Sequence, residues 1–188
     1  LGFIIMVVVY GSLRLDFGKV TSKNTITVAT VGTDSDISGL PFADEVTNNK
    51  YKSALMNRTE IAAQKGAKLI SWNEAAIFIQ KEDEKNWQDS LKSLAKNLNI
   101  SLIASYVVPV STDPLKLENK FLSINSKGQI EYQYLKHQPV PGEPSIKGKE
   151  PFKTMTDNGL NIGGAICYDF DYPYIAKAFG QLNANIVA

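Results

Sequence analysis

From Ile26 onward the chain alternates short β-branched runs with longer stretches of helical period, and that alternation narrows the fold more than any other feature. Ile26 to Val31 (ITVATV) predicts a strand. The polar stretch from Gly32 to Asn49 holds Gly39 and Pro41 and predicts a long loop. Leu55, Met56, Ile61, Ala62 and Ala63 predict a helix over 51–65, stopped by Gly66. A short strand at 68–71 follows, then a helix over 83–98 with Trp87, Leu91, Leu94, Ala95 and Leu98 on one stripe, then a strand at 101–110 that stops near Pro109. Beyond it the pattern turns to paired strands. Runs at 119–124 and 130–135 flank Asn125-Ser126-Lys127-Gly128, and runs at 152–156 and 160–166 flank Asp157-Asn158-Gly159, the stronger hairpin signal of the two. Pro173 suits the first turn of a helix reaching about Gln181, and a further strand begins at Asn185. The expectation is a mixed α/β domain over 16–188, partial at its C-terminal end.

The first ten residues, LGFIIMVVVY, carry no charge. A bilayer-spanning helix needs ~20 apolar residues, so residues 1–15 are expected to be the end of a transmembrane helix whose beginning precedes the chain. The competing reading is a buried N-terminal strand, which Ile4-Ile5 and Val7-Val8-Val9 would suit.

Charge and cysteine content remove several function classes. Twenty Lys and Arg against nineteen Asp and Glu leave +1, so no basic surplus points to nucleic acid. One cysteine and one histidine leave no internal disulfide and no Cys/His metal site within the chain, and nothing implies a metal or organic cofactor.

Three reactive side chains fall directly after predicted strands. Glu74 follows Leu69 to Trp72, Lys136 follows Tyr134-Leu135, and Cys167 follows Gly163-Gly164-Ala165-Ile166. Strand ends in layered α/β folds open into ligand crevices. A thiol, a carboxylate and an ammonium converging there form an acyl-transfer set. Small residues before Cys167 permit a sharp turn, and a helix directly after it would favour the thiolate. Taken singly, each residue has a plainer reading: Cys167 as a buried structural thiol, Glu74 and Lys136 as solvated charges. His137 could form a dyad with Cys167, but on extended backbone it points away from the side that Lys136 faces.

WNEAAI at 72–77, YLKHQPVPGE at 134–143 and GGAICYDFDYP at 163–173 together resemble the carbon–nitrogen hydrolase (nitrilase) superfamily, which uses Glu, Lys and Cys in that chain order. The resemblance covers roughly Ile26 to Ala188 and implies a four-layer αββα sandwich of the nitrilase type. It implies Glu74 as general base, Cys167 as the nucleophile that forms a thioester, and Lys136 with the backbone amide of Tyr168 as the oxyanion site. Glu143 matches a second glutamate that many members place near the triad.

Within the superfamily, Trp72-x-Glu74-x-Ala76-Ile77 and the Val140-Pro141-Gly142-Glu143 stretch after Lys136 are similar to apolipoprotein N-acyltransferases. Asn73 in place of Pro and Tyr174 after Pro173 depart from that pattern. This branch implies a membrane-associated enzyme with an extracytoplasmic catalytic domain, a phospholipid acyl donor and a lipoprotein amine acceptor. Ile77, Phe78 and Phe170 are the candidates for an exposed acyl groove. The alternatives are a soluble or singly anchored amidase or nitrilase acting on small amides in the cytoplasm, and a non-catalytic domain that keeps the fold. A homodimer fits any of the three.

Overall fold

The computed structural model describes residues 2–17, 25–35 and 44–188. Its elements run α1 (Gly2–Phe17), β1 (Val28–Val31), α2 (Glu45–Gln64), β2 (Leu69–Trp72), α3 (Glu84–Leu98), β3 (Ser101–Thr112), β4 (Leu115–Ile124), β5 (Ile130–Leu135), β6 (Met155–Asp157), β7 (Leu160–Gly163), α4 (Pro173–Gln181) and β8 (Ile186–Val187). One sheet has the order β1-β2-β3-β4-β5, parallel through β3 and antiparallel after it, and the second has the order β6-β7-β8.

Side-chain alternation sets the layers. On the first sheet Ile70, Trp72, Leu102, Ala104, Tyr106 and Leu122 face α2 and α3 in one core. Their sequence neighbours Leu69, Ile103 and Phe121 face the second sheet in another. The second sheet repeats the device with glycines. A Cβ on Gly164 would stand 2.6 Å from the Phe121 ring of the first sheet, and one on Gly163 would stand 2.6 Å from Phe179 of α4. Helices, sheet, sheet and helix therefore stack as the expected αββα sandwich, and only glycine admits so close an approach on both faces.

Several boundaries differ from the sequence expectation for local reasons. Helix α2 begins at Glu45, six residues before the expected start, because Asp44 caps it by accepting the Thr47 amide at 2.7 Å. Strand β3 runs through Pro109, where the register with β4 shifts, and a bulge tolerates the missing donor. A second shift near Ile124 turns β5 over: Ile130 joins the helix-side core while Tyr132 and Tyr134 face the other sheet. Both hairpin turns form where expected, with Asn158, Gly159 and Gly128 at positive φ.

The N-terminal run is a helix and not a buried strand. Phe3 to Tyr10 are all exposed along it. Its 16 residues span about 24 Å at ~1.5 Å per residue, and no helix among the described residues is long and apolar enough to cross a membrane.

Candidate active site

The turn after β2 carries Glu74, and backbone bonds hold it on both flanks. The Asn73 amide continues the sheet to the Val31 carbonyl at 3.0 Å, and Ala75 adopts φ +50°. Downstream, Val107 exchanges backbone bonds with Ile77 and Ile79, both at 2.9 Å. The Asn48 side chain grips Phe78 from α2, donating to its carbonyl at 2.6 Å and accepting its amide at 3.2 Å. Ile77 and Phe78 are buried by this anchoring, so of the three groove candidates only Phe170 is exposed.

Lys136 extends β5 by one residue, its amide bonded to the Asn119 carbonyl at 2.9 Å. The ammonium is almost fully buried, 2.8 Å from Glu74 Oε1 and 2.7 Å from Glu143 Oε2. Burial works against its charge, but the two carboxylates outweigh that and raise its pKa above the ordinary lysine value. Burial likewise pushes the Glu143 carboxyl up. Donors from Lys136, Ser145 (2.5 Å), the Val140 amide (3.0 Å) and Asn119 (3.2 Å) overcome it and hold the group below the ordinary range.

Cys167 sits at φ +46°, a left-handed conformation that a side-chain-bearing residue rarely adopts. The turn keeps it exposed at the mouth of the second sheet. Asp169 holds the turn in place. This carboxylate is fully buried and accepts the Ile166 amide (2.9 Å) and the Tyr134 hydroxyl (2.8 Å) on Oδ2, and the Gln138 amide (2.7 Å) on Oδ1. One side chain thus ties the thiol turn to the strand that carries Lys136. The sequence assigns no role to Asn119 or to Asp169, although Asp169 stands two residues after Cys167 within the 163–173 run.

The expected thiolate-favouring helix does not follow directly. A 3₁₀ turn spans Cys167–Asp171, and α4 starts only at Pro173. The Tyr168 amide does donate towards the sulfur, and Lys136 also favours the anion. Partial burial and the adjacent Glu74 carboxylate prevail, so the thiol pKa is raised. The surroundings therefore hold the resting group towards its thiol form.

His137 turns the other way, stacked on Tyr134 (5.0 Å) and close to Phe152 (4.6 Å). Burial lowers its pKa. Among the described residues no cluster of His, Cys, Asp or Glu is arranged to hold a metal. The site therefore brings together Glu74, Lys136, Glu143, Cys167 and the Tyr168 amide. It sets a thiol beside a carboxylate, an ammonium and a backbone amide.

Known proteins share this frame. The profile of the family described as "Carbon-nitrogen hydrolase" matches residues 27–188. "Nitrilase homolog 2" of Dictyostelium discoideum is 26% identical over 145 residues, covering 67% of this chain and 44% of that protein. Among solved structures, a mutant of the amidase from Nesterenkonia sp. showing Michael addition of acrylamide at its active-site cysteine aligns with TM-score 0.70 at 16% identity. That alignment covers 87% of this chain and 65% of the amidase. A carbon–nitrogen hydrolase from Helicobacter pylori aligns with TM-score 0.70 at 18% identity, over 86% of this chain and 58% of its own. The chain thus spans less than two thirds of each of these proteins.

Proposed function

The chain belongs to the carbon–nitrogen hydrolase family, and from that premise we propose that it cleaves amide C–N bonds through a thioester on Cys167, with water as the acceptor. The observation that carries this reading is the placement of Glu74 against both the Cys167 thiol and the Lys136 ammonium.

A raised thiol pKa makes the base necessary. Glu74 takes the thiol proton as sulfur attacks the carbonyl carbon, and the new oxyanion is met by Lys136 and the Tyr168 amide. Collapse breaks the C–N bond, and the leaving nitrogen takes the proton from Glu74. Water, deprotonated by the same carboxylate, then attacks the thioester. The acid leaves, and the proton returns to sulfur.

One observation favours a second reading, N-acyl transfer from a lipid donor to an amine. Helix α1 exposes apolar side chains from Phe3 to Tyr10, a surface suited to lipid. Phe170 and Tyr174 add exposed aromatic area beside the thiol turn. Each acyl methylene buried on such a surface is worth ~0.8 kcal/mol.

Intact-mass spectrometry of the full chain tests both. Incubated with butyramide, it is expected to form a Cys167 acyl adduct that water clears, and Cys167→Ala should reduce turnover by on the order of 10⁴-fold or more. An adduct formed only with phospholipid, and stable until an amine is added, would replace hydrolysis by transfer. Turnover that survives Cys167→Ala would remove both.

A further inference from the structure

Asn119 sits at the centre of the charged cluster without carrying a charge. It is fully buried on β4, and its Nδ2 donates to Glu74 Oε1 at 2.7 Å and Glu143 Oε1 at 3.2 Å. Its own Oδ1 is buried and has no hydrogen-bond partner among the described residues. The orientation is forced, because the opposite one would set an amide oxygen against two carboxylate oxygens. The fold therefore tolerates an unsatisfied acceptor in order to place both N–H groups between the glutamates.

The consequence lies in the two oxygens of Glu74. Oε1 receives both Lys136 Nζ (2.8 Å) and Asn119 Nδ2, so neither donor is spent on Oε2, and the Cys167 thiol hydrogen-bonds to the same carboxylate. Building on the acyl-transfer reading above, we propose that Asn119 is a positioning residue that saturates Oε1 and leaves Oε2 as the proton acceptor for Cys167. It also completes the solvation of two carboxylates that share one lysine. A neutral amide does this without adding a second cation, which would weaken the carboxylate as a base. In the reaction Asn119 exchanges no proton. The thiol proton passes to Oε2 as the C–S bond forms and leaves with the nitrogen as the C–N bond breaks.

Because Cys167 is the only thiol in the chain, alkylation by iodoacetamide reads this base without a known substrate. The rate, followed by intact mass against pH, is expected to reach a base-assisted plateau whose acid edge marks protonation of the acceptor. In Asn119→Leu and in the isosteric Asn119→Asp, the acid edge should move up by about one pH unit and the plateau should fall roughly tenfold. Lys120→Met perturbs the next residue of the same strand on the opposite face. It should lower the melting temperature and leave the edge in place. If Asn119→Leu does not fold, Asn119→Asp alone decides. An unmoved edge in a folded Asn119 variant, or an equal shift in Lys120→Met, overturns the role of Asn119 while the base itself stands. A wild-type profile with one ordinary thiol ionisation and no plateau overturns the reading of Glu74 as base on which it rests.

Discussion

Two lysines are buried in the same sheet, and each lies between two glutamates. Lys136 stands between Glu74 and Glu143 on the face towards the second sheet. Lys120 stands 2.5 Å from both Glu84 and Glu118 on the face towards α3. Composition, burial and charge hardly separate them. The difference is in how the carboxylates are used. Both oxygens of Glu84 are occupied, Oε1 by Lys120 and the Tyr106 hydroxyl and Oε2 by Lys81. Glu74 has only Oε1 occupied by such donors and stands beside a thiol. A saturated carboxylate can only hold structure, whereas one with an oxygen to spare can take a proton. A buried lysine with two acids is therefore no sign of chemistry until the remaining lone pairs are accounted for.

The largest expected difference between the two clusters is in rate. Lys136→Met removes the proposed oxyanion donor and should lower Cys167 acylation roughly 10²–10³-fold. Lys120→Met should leave the rate per folded molecule within about threefold. Equal losses, measured by burst kinetics on the same amide, would break the distinction.

Stability comes next. Lys120→Met leaves Glu84 and Glu118 with only the solvent-exposed Lys81 as a cationic partner and should cost roughly 3 kcal/mol, the low end for breaking a buried pair. That lowers the melting temperature by on the order of 10 °C. Adding Glu84→Gln should recover part of the loss, because the excess buried negative charge goes with it. A double variant no more stable than Lys120→Met would mean that packing, not charge, governs this cluster.

The smallest effect concerns acid. For Glu84 and Glu143 burial favours the neutral form, yet their donors win and hold both carboxyls below the ordinary range. Folding is therefore favoured by their ionisation above the unfolded carboxylate range, and that contribution is lost as pH falls through the folded values. Glu143→Gln should flatten the fall in stability on acidification and move its midpoint by about half a pH unit. Urea unfolding at several pH values checks this, and an unchanged slope would exclude Glu143 as a contributor.

Local pattern was enough wherever the cause was local. Asn158 and Gly159 adopt the positive φ that a tight hairpin needs. Helix α3 buries Trp87, Leu91, Leu94 and Ala95, the stripe visible in its spacing. Glu74, Lys136 and Cys167 could be assigned to strand ends because strand periodicity and its interruption lie in consecutive residues. The early start of α2 is also local, since the Asp44 cap was there to be read.

Distance through space accounts for what the pattern did not reveal. Asp169 is bonded to Tyr134 and Gln138, more than thirty residues away, and nothing in its own neighbourhood marks it as fully buried. Asn119 lies 45 residues from Glu74 and 24 from Glu143, and only strand pairing brings the three together. The Cys167 shift has the opposite sign to the sequence expectation for the same reason. A helix dipole can be guessed from the following residues, but the opposing carboxylate arrives from a turn far back in the chain. Sequence alone determined the element types, the strand-end placement of the reactive groups and the families of turn. Tertiary structure decided how the donors divide between the carboxylate oxygens, which partners each buried lysine meets and which way the thiol titrates, because each depends on the summed field and the hydrogen-bond count of groups that meet only when the sheets are stacked.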